Sequence, residues 1–250
     1  MVVQEILVKS ALTRSRIPSV TYCLNPYLGC QHGCRYCYAE FMRKFTPHQE
    51  PWGQFVDAKI NIAEVLVKEV RRTKKADVSI STVTDPYQPL EKKYGLTRAC
   101  LKILLEHQFP ISILTKSPLV LRDLDLLKCF PDCEVGLTIT TNDDQIRQIF
   151  EPHAPAIHTR LEMLRRLKAA GIRTYAFIGP ILPMNPQALA SQLSGLVDWV
   201  LVDRMNYAAK TRVIYKQHDF GQFLEDSYFT EVENILTGMI PGRSAYATSP

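Results

Sequence analysis

Cys30, Cys34 and Cys37 stand in one short run, Cys30-Gln31-His32-Gly33-Cys34-Arg35-Tyr36-Cys37. Three thiolates at this spacing can hold three irons of a cubic [4Fe–4S] cluster and leave the fourth iron open to an outside ligand. An open iron acts on what binds there, whereas a fully ligated cluster mostly carries electrons. Two plainer readings stand beside this one. Positions 30, 34 and 37 follow i, i+4, i+7, the spacing of one helix face, but Pro26, Gly29 and Gly33 break helices and let a backbone wrap closely round a ligand. A zinc site with His32 or His48 as fourth ligand is the other. Zinc usually brings paired Cys-x2-Cys knuckles, and the other four cysteines, Cys23, Cys100, Cys129 and Cys133, make no such pair.

The elements that position this loop must come from 250 residues, 46% of them hydrophobic, enough for one sizeable core. Residues 1–12 carry Glu5 and Lys9 inside their apolar run, so no secretory leader is expected. No stretch approaches the roughly 18 consecutive apolar residues of a membrane helix, and no membrane partner is expected. Seven cysteines, three at metal spacing, favour a reducing compartment, so the chain is expected to be cytoplasmic. Net charge is +5, with fifteen Lys/Arg against nine Asp/Glu in residues 1–100. That bias suits an anionic cofactor or substrate but lacks the clustered Lys/Arg of a nucleic-acid footprint.

Strand-like and helix-like stretches alternate. Strands are expected at 20–24, 77–84, 111–115, 134–141, 174–178 and 199–203, from their β-branched and apolar content. Helices are expected at 61–73, 96–107, 120–129, 143–150, 158–170 and 187–196, from 3.6-residue periodicity and the stop at Gly171. Six strands alternating with helices imply parallel pairing with right-handed crossovers. The sheet is then either open and doubly wound or part of a barrel, and in both cases chemistry gathers at the C-terminal strand ends.

Polar residues do cluster at those ends: Thr82, Thr84, Asp85 and Gln88; Thr115, Lys116 and Ser117; Thr138, Thr140, Thr141 and Asn142; Asp203, Arg204 and Asn206. Any one of them can serve as a cap or turn residue, as Asn142 and Asp85-Pro86 could. Their coincidence across strands points to a ligand.

Together, Asn25-Pro26-Tyr27-Leu28-Gly29-Cys30, Tyr36-Cys37-Tyr38, Thr84-Asp85-Pro86-Tyr87-Gln88-Pro89 and Leu114-Thr115-Lys116 resemble the spore photoproduct lyase-like branch of the radical S-adenosylmethionine (SAM) superfamily, over roughly residues 20–206. The resemblance selects a partial (β/α)6 barrel, laterally open, for residues 1–206 with their N-terminal extension; residues 207–250 are a C-terminal extension expected to lid the mouth. It implies two cofactors, a [4Fe–4S] cluster on Cys30, Cys34 and Cys37 and SAM on its open iron. In this superfamily an electron from the cluster splits a C–S bond of SAM, and the 5′-deoxyadenosyl radical takes hydrogen from a substrate. Asp85 is then implied as partner of the methionine ammonium, with Thr84 beside it, and Lys116 as a contact of SAM carboxylate or ribose oxygens. Thr138, or Thr140 on the same strand face, supplies a hydroxyl near the cofactor. Tyr36 lies near the adenine and Ile178 packs on it. Arg160 is a weaker carboxylate candidate, with a solvated helix charge as the alternative.

Departures from the lyase are equally specific. Thr82 stands where the lyase carries its hydrogen-returning cysteine, and a hydroxyl O–H bond is too strong for that relay. Tyr36 and Tyr38 match the two tyrosines beside that cysteine, and Cys100 is a possible substitute donor against a reading as a buried core thiol. Cys23, Cys129 and Cys133, near strand starts, read as structural. Trp52 and the stretch after Tyr207 are placed over the mouth. Lys210, Arg212, Tyr215, Lys216 and His218 superficially suit an anionic stacking partner, but Glu225, Asp226, Glu231 and Glu233 reverse the sign and favour a solvated lid helix. The expected function is reductive SAM cleavage and hydrogen abstraction, with oxygen sensitivity and a low-potential ferredoxin- or flavodoxin-like electron donor. A nucleic-acid lesion, a peptide or a small metabolite remains open as substrate, nucleic acid having weak support. The alternative is a non-catalytic iron–sulfur or zinc protein.

Overall fold

Short runs of β-branched and apolar residues pair edge to edge along the chain, and helices on their flanks cover them. The computed structural model describes residues 1–17, 20–205 and 208–244, with Arg243 and Ser244 as backbone only. Its strands are β1 (Val2–Ile6), β2 (Leu12–Arg14), β3 (Tyr22–Leu24), β4 (Tyr27–Leu28), β5 (Phe55–Lys59), β6 (Val78–Ile80), β7 (Ile111–Thr115), β8 (Cys133–Thr138), β9 (Arg173–Ile178), β10 (Trp199–Val202) and β11 (Gly242–Ser244). Its α-helices are α1 (Ile62–Val70), α2 (Glu91–Tyr94), α3 (Leu96–Glu106), α4 (Leu124–Leu127), α5 (Asp144–Phe150), α6 (Ile157–Ala169), α7 (Pro186–Leu193), α8 (Ala208–Gln217) and α9 (Asp226–Met239).

The main sheet runs β11-β10-β9-β8-β7-β6-β3-β2 and does not close. The six expected strands are β3, β6, β7, β8, β9 and β10, all parallel in the expected order, with β11 added in parallel at one edge and β2 antiparallel at the other. The fold is α/β with an open, largely parallel sheet. Its core residues include Ile80, Ile113, Val135, Leu137, Ala176 and Val200, all within 1% of complete burial. Each such branched side chain contributes about 1.5–3 kcal/mol on leaving water. Helix α1 buries Ile62, Leu66 and Val70, one stripe at i, i+4, i+8, against α3.

A second sheet, β1-β5-β4, stands at the start of the chain and was not expected. β5 pairs in parallel with β1 and antiparallel with β4. Because Tyr27 and Leu28 of β4 immediately precede Gly29 and Cys30, this sheet anchors the cysteine loop. Gly29 has φ +87°, and a Cβ there would lie 2.4 Å from the Phe55 carbonyl oxygen, so only glycine fits without moving β5.

Several boundaries differ from expectation. The 77–84 strand is only Val78–Ile80, because Ser81 takes φ 67° and Asn25 Oδ1 captures the next two amides, Thr82 N at 2.9 Å and Val83 N at 3.1 Å. The 120–129 helix is a 3-10 turn, Pro118–Asp123, followed by the short α4, with buried Asp123 drawn to Arg98 and Arg122. The 225–233 segment is the cap and first part of α9; it keeps Glu225, Asp226 and Glu231 exposed, while the helix buries Phe229, Val232 and Leu236, packs on α7, and leads into β11. Asn206 and Tyr207 lie outside the described residues. No described helix is long and apolar enough to cross a membrane.

Candidate cluster and cofactor site

The loop from Gly29 to Cys37 is held at the C-terminal ends of β3 and β6 by side chains from the turn after β6. Thr84 Oγ1 donates to Gly29 O at 2.5 Å, and Gln88 Nε2 donates to Thr84 Oγ1 at 3.0 Å. Gln88 Oε1 accepts from Gln31 N at 3.0 Å, while Gln31 Oε1 accepts from Leu90 N at 2.5 Å. On the far side, Arg35 N donates to Phe150 O at 2.8 Å. Thr84 is therefore engaged with the loop backbone. Cys30 and Cys34 are buried and Cys37 half-buried, all three as free thiols.

Burial pushes Cys34 up to about 12, opposed by the ammonium of Lys116, and pushes Cys30 and Cys37 up as well. All three lie on this one loop, and Cys37 N donates to Cys34 O at 3.1 Å. Yet among the described residues no three His, Cys, Asp or Glu side chains converge on a single-ion position. His48, weighed as a zinc ligand, has Nε2 2.6 Å from Asp57 Oδ1 and Nδ1 3.4 Å from Glu50 Oε2. Three soft thiol donors on one glycine-bearing loop are the donor set that an iron–sulfur cluster takes.

Asp85 closes the floor. Its Oδ1 accepts from Tyr87 N at 2.9 Å and Thr115 Oγ1 at 2.7 Å, and its Oδ2 accepts from Lys116 N at 2.9 Å. His32 Nε2 stands 3.2 Å from Oδ2, off the line of a good hydrogen bond. Burial alone would raise the Asp85 carboxyl, but His32, Thr115 and the Lys116 amide hold it down to about 2. A carboxylate has about four lone-pair positions, and three of them accept these hydrogen bonds. Asp85, implied above as an ammonium partner, ties the turn after β6 to the end of β7 and stands beside His32 of the cysteine loop.

Glu151 is the residue the sequence reading missed. It follows α5, is fully buried, and gathers four of the candidate side chains. Tyr36 Oη donates to its Oε1, Thr140 Oγ1 donates to the same oxygen at 3.0 Å, and Arg160 Nη2 donates to Oε2. Lys116 Nζ stands 4.0 Å from Oε1 and 5.8 Å from the Tyr36 ring centroid. Burial would raise the Glu151 carboxyl, but Arg160 and Lys116 hold it at about 2. Arg160 is no solvated charge: it is fully buried and also donates to Thr138 O at 2.9 Å and Pro155 O at 2.9 Å. At 4.0 Å, Lys116 Nζ is beyond hydrogen-bond reach of Glu151, so its donors stay available at 14% side-chain exposure.

Other candidates fall in different places. Tyr38 leaves the cysteine loop 44% exposed and donates its hydroxyl to Thr82 O. Thr138 and Ile178 end β8 and β9 and are buried. Cys100 lies on α3 in the core, with Glu91 and Lys59 as its charged neighbours, so the structure does not bring it to the thiol loop. Cys23 is buried within β3, Cys133 begins β8, and Cys129 is exposed. Lys210 of α8 reaches the loop from the C-terminal side, donating to Cys37 O at 3.5 Å and pairing with Glu40.

Comparison with known proteins agrees with this arrangement. The family model described as Radical SAM superfamily matches residues 24–190. An uncharacterized protein of Methanocaldococcus jannaschii is 35% identical over 233 residues, covering 92% of this chain and 85% of that protein. A protein of Pseudomonas phage M6 named as a radical SAM Nα-GlyT isomerase is 24% identical over 63% of this chain and 32% of its own length. Spore photoproduct lyase complexed with dinucleoside spore photoproduct superposes with TM-score 0.67 at 17% identity, over 98% of this chain and 82% of the other. Streptococcus suis SuiB bound to precursor peptide SuiA superposes with TM-score 0.61 at 15% identity, over 91% and 49%. These two share the fold with this chain. With the thiol loop and the strand ends in place, the chain belongs to the radical SAM superfamily.

Proposed function

We propose that the chain is an enzyme that binds a [4Fe–4S] cluster through Cys30, Cys34 and Cys37 and cleaves SAM reductively to take hydrogen from a substrate. The observation that carries this reading is the meeting of the thiol loop with Lys116, whose ammonium stands 5.8 Å from the ring centroid of Tyr36, between Cys34 and Cys37, and 4.0 Å from Glu151. When bound, the cluster supplies the electron that splits the sulfonium C–S bond and frees a 5′-deoxyadenosyl radical.

The chain's own residues bind and orient. Lys116 receives the methionine carboxylate by charge-assisted hydrogen bonds. Glu151 fixes the Tyr36 hydroxyl and Arg160, so the wall beneath Lys116 is rigid before any ligand arrives. Thr138, Thr140 and Ile178 line the strand ends near the nucleoside, and Asp85 with Thr84 positions the loop. Tyr38, exposed beside Cys37, faces the substrate side. Residues 1–206 form the catalytic unit, and Lys210, bonded to Cys37 O, supports closure of the mouth by part of 207–250. An external low-potential carrier of the ferredoxin or flavodoxin type supplies reducing equivalents. Thr82 in place of a sulfur hydrogen donor favours a reaction other than spore photoproduct repair.

Anaerobic reconstitution with iron and sulfide, followed by dithionite and SAM, tests the reading. We expect 5′-deoxyadenosine from the wild type and none from Cys34→Ala. A fully loaded cluster that yields no 5′-deoxyadenosine would leave the chain as a non-catalytic iron–sulfur protein, and stoichiometric zinc in place of iron would point to the metal-binding alternative.

A further inference from the structure

The chain that leaves Cys37 runs straight onto the surface. A 3-10 helix, Tyr38–Phe45, begins at the next residue and buries only Ala39. Three residues per turn bring Tyr38 and Phe41 onto one side, and their rings stack with centroids 6.4 Å apart. Phe41 is 44% exposed and Phe45 72%. Helix α8 lies beside this turn, because its Lys210 pairs with Glu40 and donates to Cys37 O. Val213, three residues along α8 from Lys210 and so on a neighbouring part of the helix surface, is 63% exposed. Apolar side chains grouped in water in this way mark a surface that a partner covers.

Charge narrows the partner. The two elements carry five cations, Arg43, Lys44, Lys210, Arg212 and Lys216, against one acid, Glu40, and Lys210 already pairs with that acid. Lys44, Arg212 and Lys216 are exposed. Exposed apolar side chains accompanied by cations have the make-up of a protein interface, and they suit an acidic partner. A nucleic-acid footprint would cluster its Lys and Arg on one element; here they are divided between two elements that also present phenylalanine and valine. Place narrows it further. The surface starts one residue after Cys37, which is half-buried where Cys30 and Cys34 are buried.

We propose that the face formed by the Tyr38–Phe45 turn and α8 is the docking surface for an acidic one-electron carrier protein that reduces the cluster, with Phe41 and Phe45 in apolar contact and Lys44, Arg212 and Lys216 steering the approach. The inference rests on the cluster assignment made above. One electron leaves the carrier, which is oxidised by one charge, and enters the cluster, which is reduced by one charge; no bond forms or breaks. A redox encounter buries less than about 1,200 Å² in all, so a few side chains of this kind suffice for a contact that must also let go.

The test uses the reconstituted protein with a reduced, acidic plant-type [2Fe–2S] ferredoxin as carrier and dithionite as small-molecule control. Rapid-freeze electron paramagnetic resonance follows reduction of the cluster. Phe45→Ser removes the more exposed phenylalanine, and Lys44→Glu, Arg212→Glu and Lys216→Glu combined reverse the charge. We expect each variant to be reduced by ferredoxin about tenfold more slowly than wild type at low salt. The deficit of the charge-reversed variant should shrink as salt rises, and dithionite should reduce both at the wild-type rate. Wild-type rates with ferredoxin in both variants overturn the inference and leave the cluster assignment intact. A wild-type cluster that dithionite reduces and ferredoxin does not also overturns it. So does loss of single-stranded DNA binding in variants whose reduction by ferredoxin is unchanged, which would give the face to nucleic acid. A wild-type chain that takes up no cluster overturns both the inference and the assignment.

Discussion

The carboxylate of Asp85 grips the backbone amide of Lys116 at 2.9 Å, so the turn after β6 fixes the residue that follows β7. The same carboxylate holds Thr115 and stands beside His32 of the thiol loop. Three segments distant in sequence are thereby registered by one side chain, with no ligand needed.

Asp85→Ala removes three hydrogen bonds to a buried anion and leaves their donors stranded. Hydrogen bonds to charged groups contribute about 1.5–3 kcal/mol each in isolation and less than additively together. We expect the ligand-free variant to lose about 3–5 kcal/mol in urea unfolding. Wild-type stability in the absence of SAM would mean that Asp85 serves the ligand alone.

Glu151 and Arg160 are a buried pair with no exposed surface on either side chain. Removing one partner strands the other charge, at a cost of about 3–5 kcal/mol. Glu151→Gln and Arg160→Met should each destabilise by that order, while the double variant should recover at least 1 kcal/mol of the summed loss. Strict additivity in the double-mutant cycle contradicts the pairing.

Lys116→Met should keep the fold and its iron content, at a smaller stability cost than Arg160→Met, because its ammonium makes no hydrogen bond to Glu151. SAM affinity of the reconstituted protein should fall about 10- to 100-fold, the loss of one charge-assisted bond. Calorimetric titration reads this directly, and unchanged affinity would remove Lys116 from the cofactor site.

Acid should unfold the protein in a defined window. Glu151 is held at about 2 by Arg160 and Lys116 against the effect of burial, and Asp144 at about 2 chiefly by its hydrogen bond from Arg147. Unfolded carboxyls titrate near 4. The folded values are the lower ones, so this stability is present above about pH 4.5 and drains away as pH falls toward 2. Urea midpoints at pH 6 and pH 3 measure the loss. Asp144→Asn should show a shallower dependence, and a slope as steep as wild type would count against the Arg147 pairing.

How far the sequence foretold this site depends on how local each feature is. The six parallel strands were legible because runs such as Ile111–Thr115 carry their own β-branched pattern. The β1-β5-β4 sheet was not, since β1 is held by edge pairing with four of its five residues exposed, and β5 buries Asp57 against His48. Lys116 and Asp85 were legible as polar residues at strand ends, but the hydrogen bonds that Asp85 accepts from Thr115 and Lys116 were not. Glu151 left no local signal: a glutamate before Pro152 reads as a solvated helix end. Its partners Tyr36 and Thr140 lie 115 and 11 residues away. An i, i+9 glutamate–arginine pair has no periodicity to announce it.

The bond from Arg35 N to Phe150 O, with Tyr36 on Glu151 beside it, has a practical corollary. The eight-residue thiol run is not a portable cassette. Excised as a peptide, or grafted into another scaffold, it would keep its sulfurs but lose the far half of the mould that shapes it. Shortening the chain ahead of Phe150 should therefore abolish a defined iron centre even though every ligating residue is still present.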